Sequence, residues 1–259
     1  MASTSYALRA YELWFLRFKR VWRGTGTYTL FGPLLYLGAM GAGVGSLVTR
    51  QDAASLGGVS YLAYIAPGMI AATAMQTAAG EASWPVMGAM RWMRVYHAQA
   101  ATPLGVADVF HGHLLWMLSR VAMTSAAMLL AATILGVTDS LLAPLVMPAA
   151  VLTGAAFAAP IAAWSVTQEG DGLFSVLFRL VITPMFLFSG TFFPVETLPV
   201  VLRGIAYVTP MWHGADLCRD LVLGGATPLM SLVHVAYLSA WTLVGLVAGR
   251  RTYAKRLVP

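Results

Sequence analysis

Residues Phe186–Gly225, FLFSGTFFPVETLPVVLRGIAYVTPMWHGADLCRDLVLGG, decide how the rest of the chain reads. The stretch follows one apolar run and precedes another, each long enough to cross a membrane. A plain connection between two such helices needs only a few residues. This one is long and largely apolar. It is interrupted by Pro194, Pro199 and Pro210, and it carries Glu196, Trp212, His213 and Asp216. That composition suits short helices dipping into the edge of a bilayer. Irregular backbone survives at that depth only when packed on protein or lining a wet cavity. Two readings stand: a lid or exit gate on the outer side of a transport path, or an interfacial segment that anchors the fold.

Composition supports the membrane setting. Of 259 residues, 59% are apolar and 10% charged, and the mean hydropathy is +0.74. A soluble domain carries about 25% charged residues. The length suits one membrane domain. The formal charge of +6 sits beside apolar runs, as topology and anionic lipid require, so nucleic acid is not indicated. The single cysteine, Cys218, excludes an internal disulfide.

Working outward to the N-terminus, residues 1–27 read as an amphipathic cytoplasmic interfacial helix and not as a cleavable leader. Leu8, Tyr11, Phe15, Phe18 and Trp22 recur at helical steps, and Arg9, Lys19, Arg20 and Arg23 fall largely elsewhere. The charge-free run Tyr28–Val48 is the first span, about 31 Å long as a helix, with a Gly38, Gly41, Gly45 stripe that another helix can approach. A polar connection with Gly57-Gly58 follows. The second span begins at Tyr61, kinks at Pro67 and ends near Glu81, which faces a cavity, pairs with Arg91 or Arg94, or sits as a charge at headgroup level.

Residues 83–107 form a long polar-aromatic loop in which Arg91 and Arg94 flank Trp92 and Thr102-Pro103-Leu104 introduces the next helix. It is the best candidate for docking a cytoplasmic partner. The third span, Asp108–Leu135, has His111 and His113 at its mouth on different helix sides, which argues against a metal site, and Arg120 within it. An arginine at that depth pairs with Asp108 or Glu81, snorkels, or lines a path. The fourth span, Leu141–Val166, contains Pro144, Pro148 and Pro160 and begins late or bends. Leu173–Phe193 is the fifth. Pro228–Gly249 is the sixth and ends in a second small-residue stripe, Gly245-x-x-x-Gly249. Six spans put both termini on one side. Eleven lysines and arginines lie on that side against three opposite (Arg50, Arg203, Arg219), so the termini are expected in the cytoplasm and the Phe186–Gly225 segment outside.

Some chemistry is missing. Neither Lys19 nor Lys255 follows a glycine, so no phosphate-binding G-x-x-x-x-G-K-[ST] loop exists, and no H-E-x-x-H, G-x-S-x-G or S-x-x-K pattern occurs. Any ATP-driven motor must be another chain. A stand-alone secondary carrier needs paired charges in mid-span, where only Arg120 qualifies. A lipid-acting membrane enzyme needs an ionisable cluster at one depth.

Three stretches are similar to a known family. They are the basic-aromatic N-terminal helix leading through Trp22-Arg23-Gly24 into LYLGAMGAGVGSLV, the loop bearing Ala101-Thr102-Pro103-Leu104, and most specifically FSGTFFPVETLPVVLRGIAYVTPMWHGADLCRDLVLG. The whole chain resembles the membrane subunit of ABC-2 type transporters, in the branch with the NodJ and daunorubicin-resistance permeases. The resemblance implies an all-α fold of six transmembrane helices with an interfacial N-terminal helix and re-entrant short helices between spans five and six. It implies a non-catalytic permease that exports an amphipathic substrate: a drug, a lipid or a lipid-linked saccharide. It also implies a bacterial inner-membrane location, a second permease chain, and two cytoplasmic ATPase subunits that bind ATP and Mg, with no cofactor on this chain. Arg91, Arg94, Thr102, Pro103 and Leu104 map onto the ATPase-coupling segment. Gly190, Phe192, Phe193, Pro194, Glu196, Pro199, Pro210, Trp212 and His213 map onto the gate, with Arg120 in the path.

Overall fold

The computed structural model describes residues 3–45, 56, 58–138 and 140–257. Among them the regular structure is entirely helical. Helix α1 spans Ser3–Ala39 and runs on into a π turn, Met40–Val44. The expected division at residue 27 is therefore absent: the interfacial helix and the first apolar run are one helix. Gly24 and Gly26 are the weakest helix formers there, and each costs about 1 kcal/mol, too little to stop a helix that continues on both sides. The end of that run and most of the connection 49–60 lie outside the described residues.

Helix α2, Tyr61–Ala82, begins at Ser60, whose Oγ accepts from Ala63 N at 3.2 Å. It is the centre of the molecule. Ala66, Ala71, Ala72, Ala74, Ala78, Ala79 and Ala82 are all fully buried, and such small residues let neighbouring helices approach closely. The expected loop 83–107 is mostly helical: α3, Trp84–Met87, passes through a π turn, Gly88–Trp92, and α4 spans Val95–Ala100. Between them Arg94 takes φ 49°, a left-handed conformation unusual for a residue with a Cβ.

Helix α5 spans Val106–Ile134. Pro103 does not occupy its first turn, as expected from the sequence, but lies in the preceding turn. There Thr102 Oγ1 donates to Gln99 O at 2.6 Å, and Gly105 N donates to Asp108 Oδ2 at 3.0 Å. Helix α6, Val146–Ser165, is preceded by a 3₁₀ turn, Ala143–Leu145, so the fourth run does begin late. Helix α7, Gly172–Phe188, includes a π turn at Phe178–Ile182 and stops at Phe188. It is thus shorter than the expected run to Phe193, because the Ser189-Gly190 turn takes the chain out of the helix, with Gly190 at φ 80°.

After a 3₁₀ turn, Val195–Thr197, come α8, Val200–Val208, and α9, Pro210–Leu223. Thr209 caps α9 by accepting from Trp212 N, Pro210 fits its first turn, and Gly224 ends it at φ 79°. Helix α10, Pro228–Leu257, runs past Gly249 to near the C-terminus.

Among the described residues three helical segments are long and apolar enough to cross a membrane: Val106–Ile134, Ala143–Ser165 and Pro228–Leu257; α7 is a shorter apolar helix. The two glycine stripes differ. A Cβ at Gly38 would meet nothing within 4 Å, whereas one at Gly245 would lie 2.5 Å from Pro160 and one at Gly249 would enter the ring of Phe110. In the first stripe only Gly41 approaches another helix, with a Cβ there 3.1 Å from the Leu62 side chain of α2, so the second stripe is the tighter crossing.

Candidate functional site

A cavity of about 870 Å³ opens between α1, α2, α5 and the end of α7. Its polar wall comes from one face of α2: Thr73, Gln76, Thr77, Gly80 and Glu81. These positions step by three and four residues, so they form a single stripe along the helix. Facing them from α5, one turn apart, are Arg120 and Thr124. Thr77 and Thr124 share a hydrogen bond of 3.1 Å. Arg120 Nε donates to Glu81 Oε1 at 3.1 Å, and its guanidinium lies 4.8 Å from the centre of the Phe18 ring. The Arg120 side chain is 10% exposed and that of Glu81 24%. Charge at membrane depth is tolerable when paired in this way. Pro33, Leu35, Tyr36, Met69, Met128 and Phe186 complete an apolar rim. The cavity therefore offers hydrogen-bonding groups on one wall and hydrocarbon on the other.

Of the path residues expected from sequence, Arg120 alone lines this cavity. The others cluster at the Tyr64 end of α2. Phe192 packs edge-on against Phe186, a cavity residue, at 5.0 Å. Glu196 accepts from Tyr207 OH at 3.0 Å, and Tyr207 packs against Trp212. Trp212 also meets His213 and His234 edge-on. His213 is stacked on Tyr237 and shares a 2.8 Å hydrogen bond with His234, whose Nε2 lies 3.3 Å from Asp216 Oδ2. Phe193, Pro194 and Pro199 shape the turns around the 3₁₀ segment, and Pro210 instead lines an apolar groove of about 760 Å³ between α6, α7 and α8.

Two members of this end were not singled out from sequence. Arg219 Nη2 donates to Gly190 O at 2.5 Å, its guanidinium lies 4.2 Å from the Tyr64 ring centre, and Nη1 is 3.5 Å from Asp216. Tyr64 OH also donates to Gly190 O, at 3.3 Å.

The residues expected to couple to a partner lie near the opposite end of α2. Arg91 reaches Glu169 at 3.6 Å, an exposed pair worth little in stability. Trp92, Arg94, His97, Thr102 and Pro103 are exposed, and Leu104 is half-buried. What fixes this surface was not legible: Tyr96 on α4 is fully buried. Tyr253 OH donates to Tyr96 OH at 3.3 Å, and Tyr96 OH shares a 2.5 Å hydrogen bond with His113 Nδ1. Burial and the neighbouring Tyr253 hydroxyl push the Tyr96 phenol well above its ordinary pKa, so it stays neutral. His113 in turn stacks on Trp14 of α1 at 3.7 Å. One aromatic knot thus ties α4 to α1, α5 and α10. His111 points elsewhere and accepts from Arg250 Nε at 3.0 Å. Among the described residues no group of three His, Cys, Asp or Glu side chains is placed to hold a metal ion.

Comparison with known proteins decides the family. Residues 11–223 match the ABC-2 type transporter family. The chain belongs to that family. Relatives of this permease include Nodulation protein J of Rhizobium leguminosarum bv. trifolii, 32% identical over 242 residues that cover 92% of this chain and 90% of the relative. Nodulation protein J of Rhizobium meliloti (strain 1021) is 30% identical over 246 residues, covering 95% and 91%. The protein of the same name from Bradyrhizobium diazoefficiens is 28% identical over 242 residues, covering 92% and 90%. The chain is thus a membrane-embedded transport subunit and not an enzyme, of a family that generally works with an ABC ATPase.

Proposed function

We propose that this permease is the membrane half of an ATP-driven exporter that moves an amphipathic substrate, a drug, a lipid or a lipid-linked saccharide, out of a bacterial cell. The carrying observation is the two-toned cavity, whose α2 stripe and Arg120–Glu81 pair suit a polar head while the Tyr36, Met69, Met128 and Phe186 rim suits an apolar tail. In this reading α1, α2, α5, α6, α7 and α10 cross the inner membrane six times and both termini are cytoplasmic. Two ATPase subunits carry ATP and Mg, and a second permease chain, identical or related, completes the path. Nucleotide-driven closure of the ATPases pushes on the exposed surface from Arg91 and Arg94 to Thr102, Pro103 and Leu104. The aromatic knot around Tyr96 passes that displacement to α1, α5 and α10, two of which border the cavity. The Phe186–Gly225 segment, with Gly190, Phe192, Phe193, Pro194, Glu196, Pro199, Pro210, Trp212 and His213, is the outer gate.

The test is co-expression with an ABC ATPase from the same genome, followed by ATPase and transport assays in lipid. Pro103→Ala with Leu104→Asp is expected to abolish substrate-stimulated ATP turnover. Gln76→Leu with Thr77→Val should leave basal turnover intact and lower stimulation by the substrate. If no ATPase associates and the chain alone moves a solute, the proposal fails. The Glu81–Arg120 pair gives a stand-alone carrier its one specific support, since such a carrier needs paired charges in its spans. Transport that persists without ATP would favour it.

A further inference from the structure

Next to the Met69 and Phe186 end of the cavity lies the turn Ser189–Phe193, whose Phe192 packs on Phe186, and the fit of that turn against α2 is tight. A Cβ on Gly68 would lie 3.1 Å from both Cα and O of Thr191 and 3.3 Å from Arg219 Nη2. Thr191 and Ser189 are fully buried there. The turn is short of internal bonding: Gly190, at φ 80°, presents its carbonyl outward to α2 and α9. Arg219 takes that carbonyl. The same guanidinium lies over the Tyr64 ring, is 3.5 Å from Tyr64 O through Nε, and is oriented from behind by Asp216. One arginine on α9 therefore ties the turn to the helix that forms the cavity's polar wall.

We propose that Arg219 is the latch of the outer gate: the path opens outward when its contacts with Tyr64, and the Tyr64 OH bond to Gly190 O, are released, and α9 and the Ser189–Phe193 turn leave α2 together, still joined by Arg219 and Gly190 O. This rests on reading Phe186–Gly225 as the gate. The contacts suit a reversible latch. Planar guanidinium binding to a carbonyl and an aromatic face is strong, yet it can be exchanged for water in a single step. Glycine at 68 suits the closed state, because even a Cβ there would need Thr191 or Arg219 to give way by a few tenths of an ångström. Arg219 is a positioning residue and is not asked to touch the substrate.

The chain supplies its own reporter. Cys218, its single cysteine, is fully buried on α9 beside the latch. The experiment measures labelling of Cys218 by a membrane-impermeant maleimide on intact cells expressing the chain, in wild type, Arg219→Gln, Arg219→Lys and Gly68→Ala. In the wild type the thiol should react slowly. Arg219→Gln, which removes the latch, and Gly68→Ala, which crowds both Thr191 and Arg219 Nη2, should both raise the rate about ten-fold, in line with losing one charge-assisted hydrogen bond. Arg219→Lys, which keeps the cation, should fall between. Losing a neighbouring cation disfavours the reactive thiolate, so faster labelling in Arg219→Gln reports opening and not electrostatics. Wild-type rates in both Arg219→Gln and Gly68→Ala would overturn the proposal. So would failure of both variants to reach the membrane, since a contact released in every cycle must be dispensable for folding. Neither result bears on whether an ATPase associates with the chain, so the latch and the exporter reading can fail separately.

Discussion

Arg120 shows what a single charge at membrane depth demands. Its partner Glu81 is distant in sequence, and the pair holds two helices at one height along the cavity. Replacing Glu81 by Ala leaves the guanidinium unpaired and should lower stability by about 3 kcal/mol. Glu81→Gln with Arg120→Gln together should cost much less than the single truncation. Thermal unfolding of the purified permease in lipid nanodiscs measures both; equal losses would mean that the pair contributes no coupling. Tyr96→Phe removes one hydroxyl from the Tyr253–Tyr96–His113 chain and should cost about 1 to 2 kcal/mol, since the remaining buried groups lose a partner. Arg120 was legible in the sequence because an arginine inside an apolar run has few explanations. Tyr96 and Arg219 were not. A tyrosine and an arginine in the segments between spans are ordinary until the fold brings Tyr253, His113, Tyr64 and Gly190 around them.

Among elements, the two glycine stripes make opposite predictions from the same pattern. Gly249→Ala places a methyl group in the ring of Phe110 and should destabilise by about 1 to 3 kcal/mol through overpacking. Gly38→Ala meets nothing and should be neutral or stabilising by about 0.5 to 1 kcal/mol from helix propensity. Unfolding midpoints of the two variants separate a packed crossing from a glycine that is merely present. The same limit explains the errors in helix boundaries. Apolar content fixes which runs are buried in lipid, and the third, fourth and last runs were legible for that reason. It does not fix where a helix stops inside an apolar stretch, so the end of α7 at Phe188 and the fusion of the N-terminal segment into α1 were invisible. On α1, Ala7, Ala10 and Trp14 are buried against α5 while Leu8, Phe15 and Trp22 are exposed, so most of the large apolar side chains expected on the interfacial face are left outside the protein core. The polar stripe of α2 was open to sequence reading, since Thr73, Gln76, Thr77 and Glu81 already stood at helical spacing.

At the scale of the molecule, the question is how many times the chain crosses, and α7 is where the count turns. At 17 residues it would be about 25 Å long, at the lower limit for a spanning helix. Three positions resolve it: Arg94 between α4 and the π turn before it, Thr197 in the 3₁₀ turn after α7, and Arg251 near the end of α10, all exposed. Each is replaced singly by cysteine in a Cys218→Ala background and challenged with an impermeant maleimide on intact cells and on inverted vesicles. If α5, α6 and α7 all cross, Arg94 and Thr197 lie on opposite sides, and α10 returns Arg251 to the side of Arg94. The expected pattern is labelling of position 197 on intact cells and of 94 and 251 only on inverted vesicles, as the excess of lysine and arginine around the termini and Arg91 and Arg94 requires. If α7 instead enters and leaves by one face, positions 94 and 197 label together and 251 alone labels from the other side. That outcome would place the Arg219 contact on the cytoplasmic face and make it part of the entry to the cavity, so the topology measurement also decides which end of the path the Ser189–Phe193 turn closes.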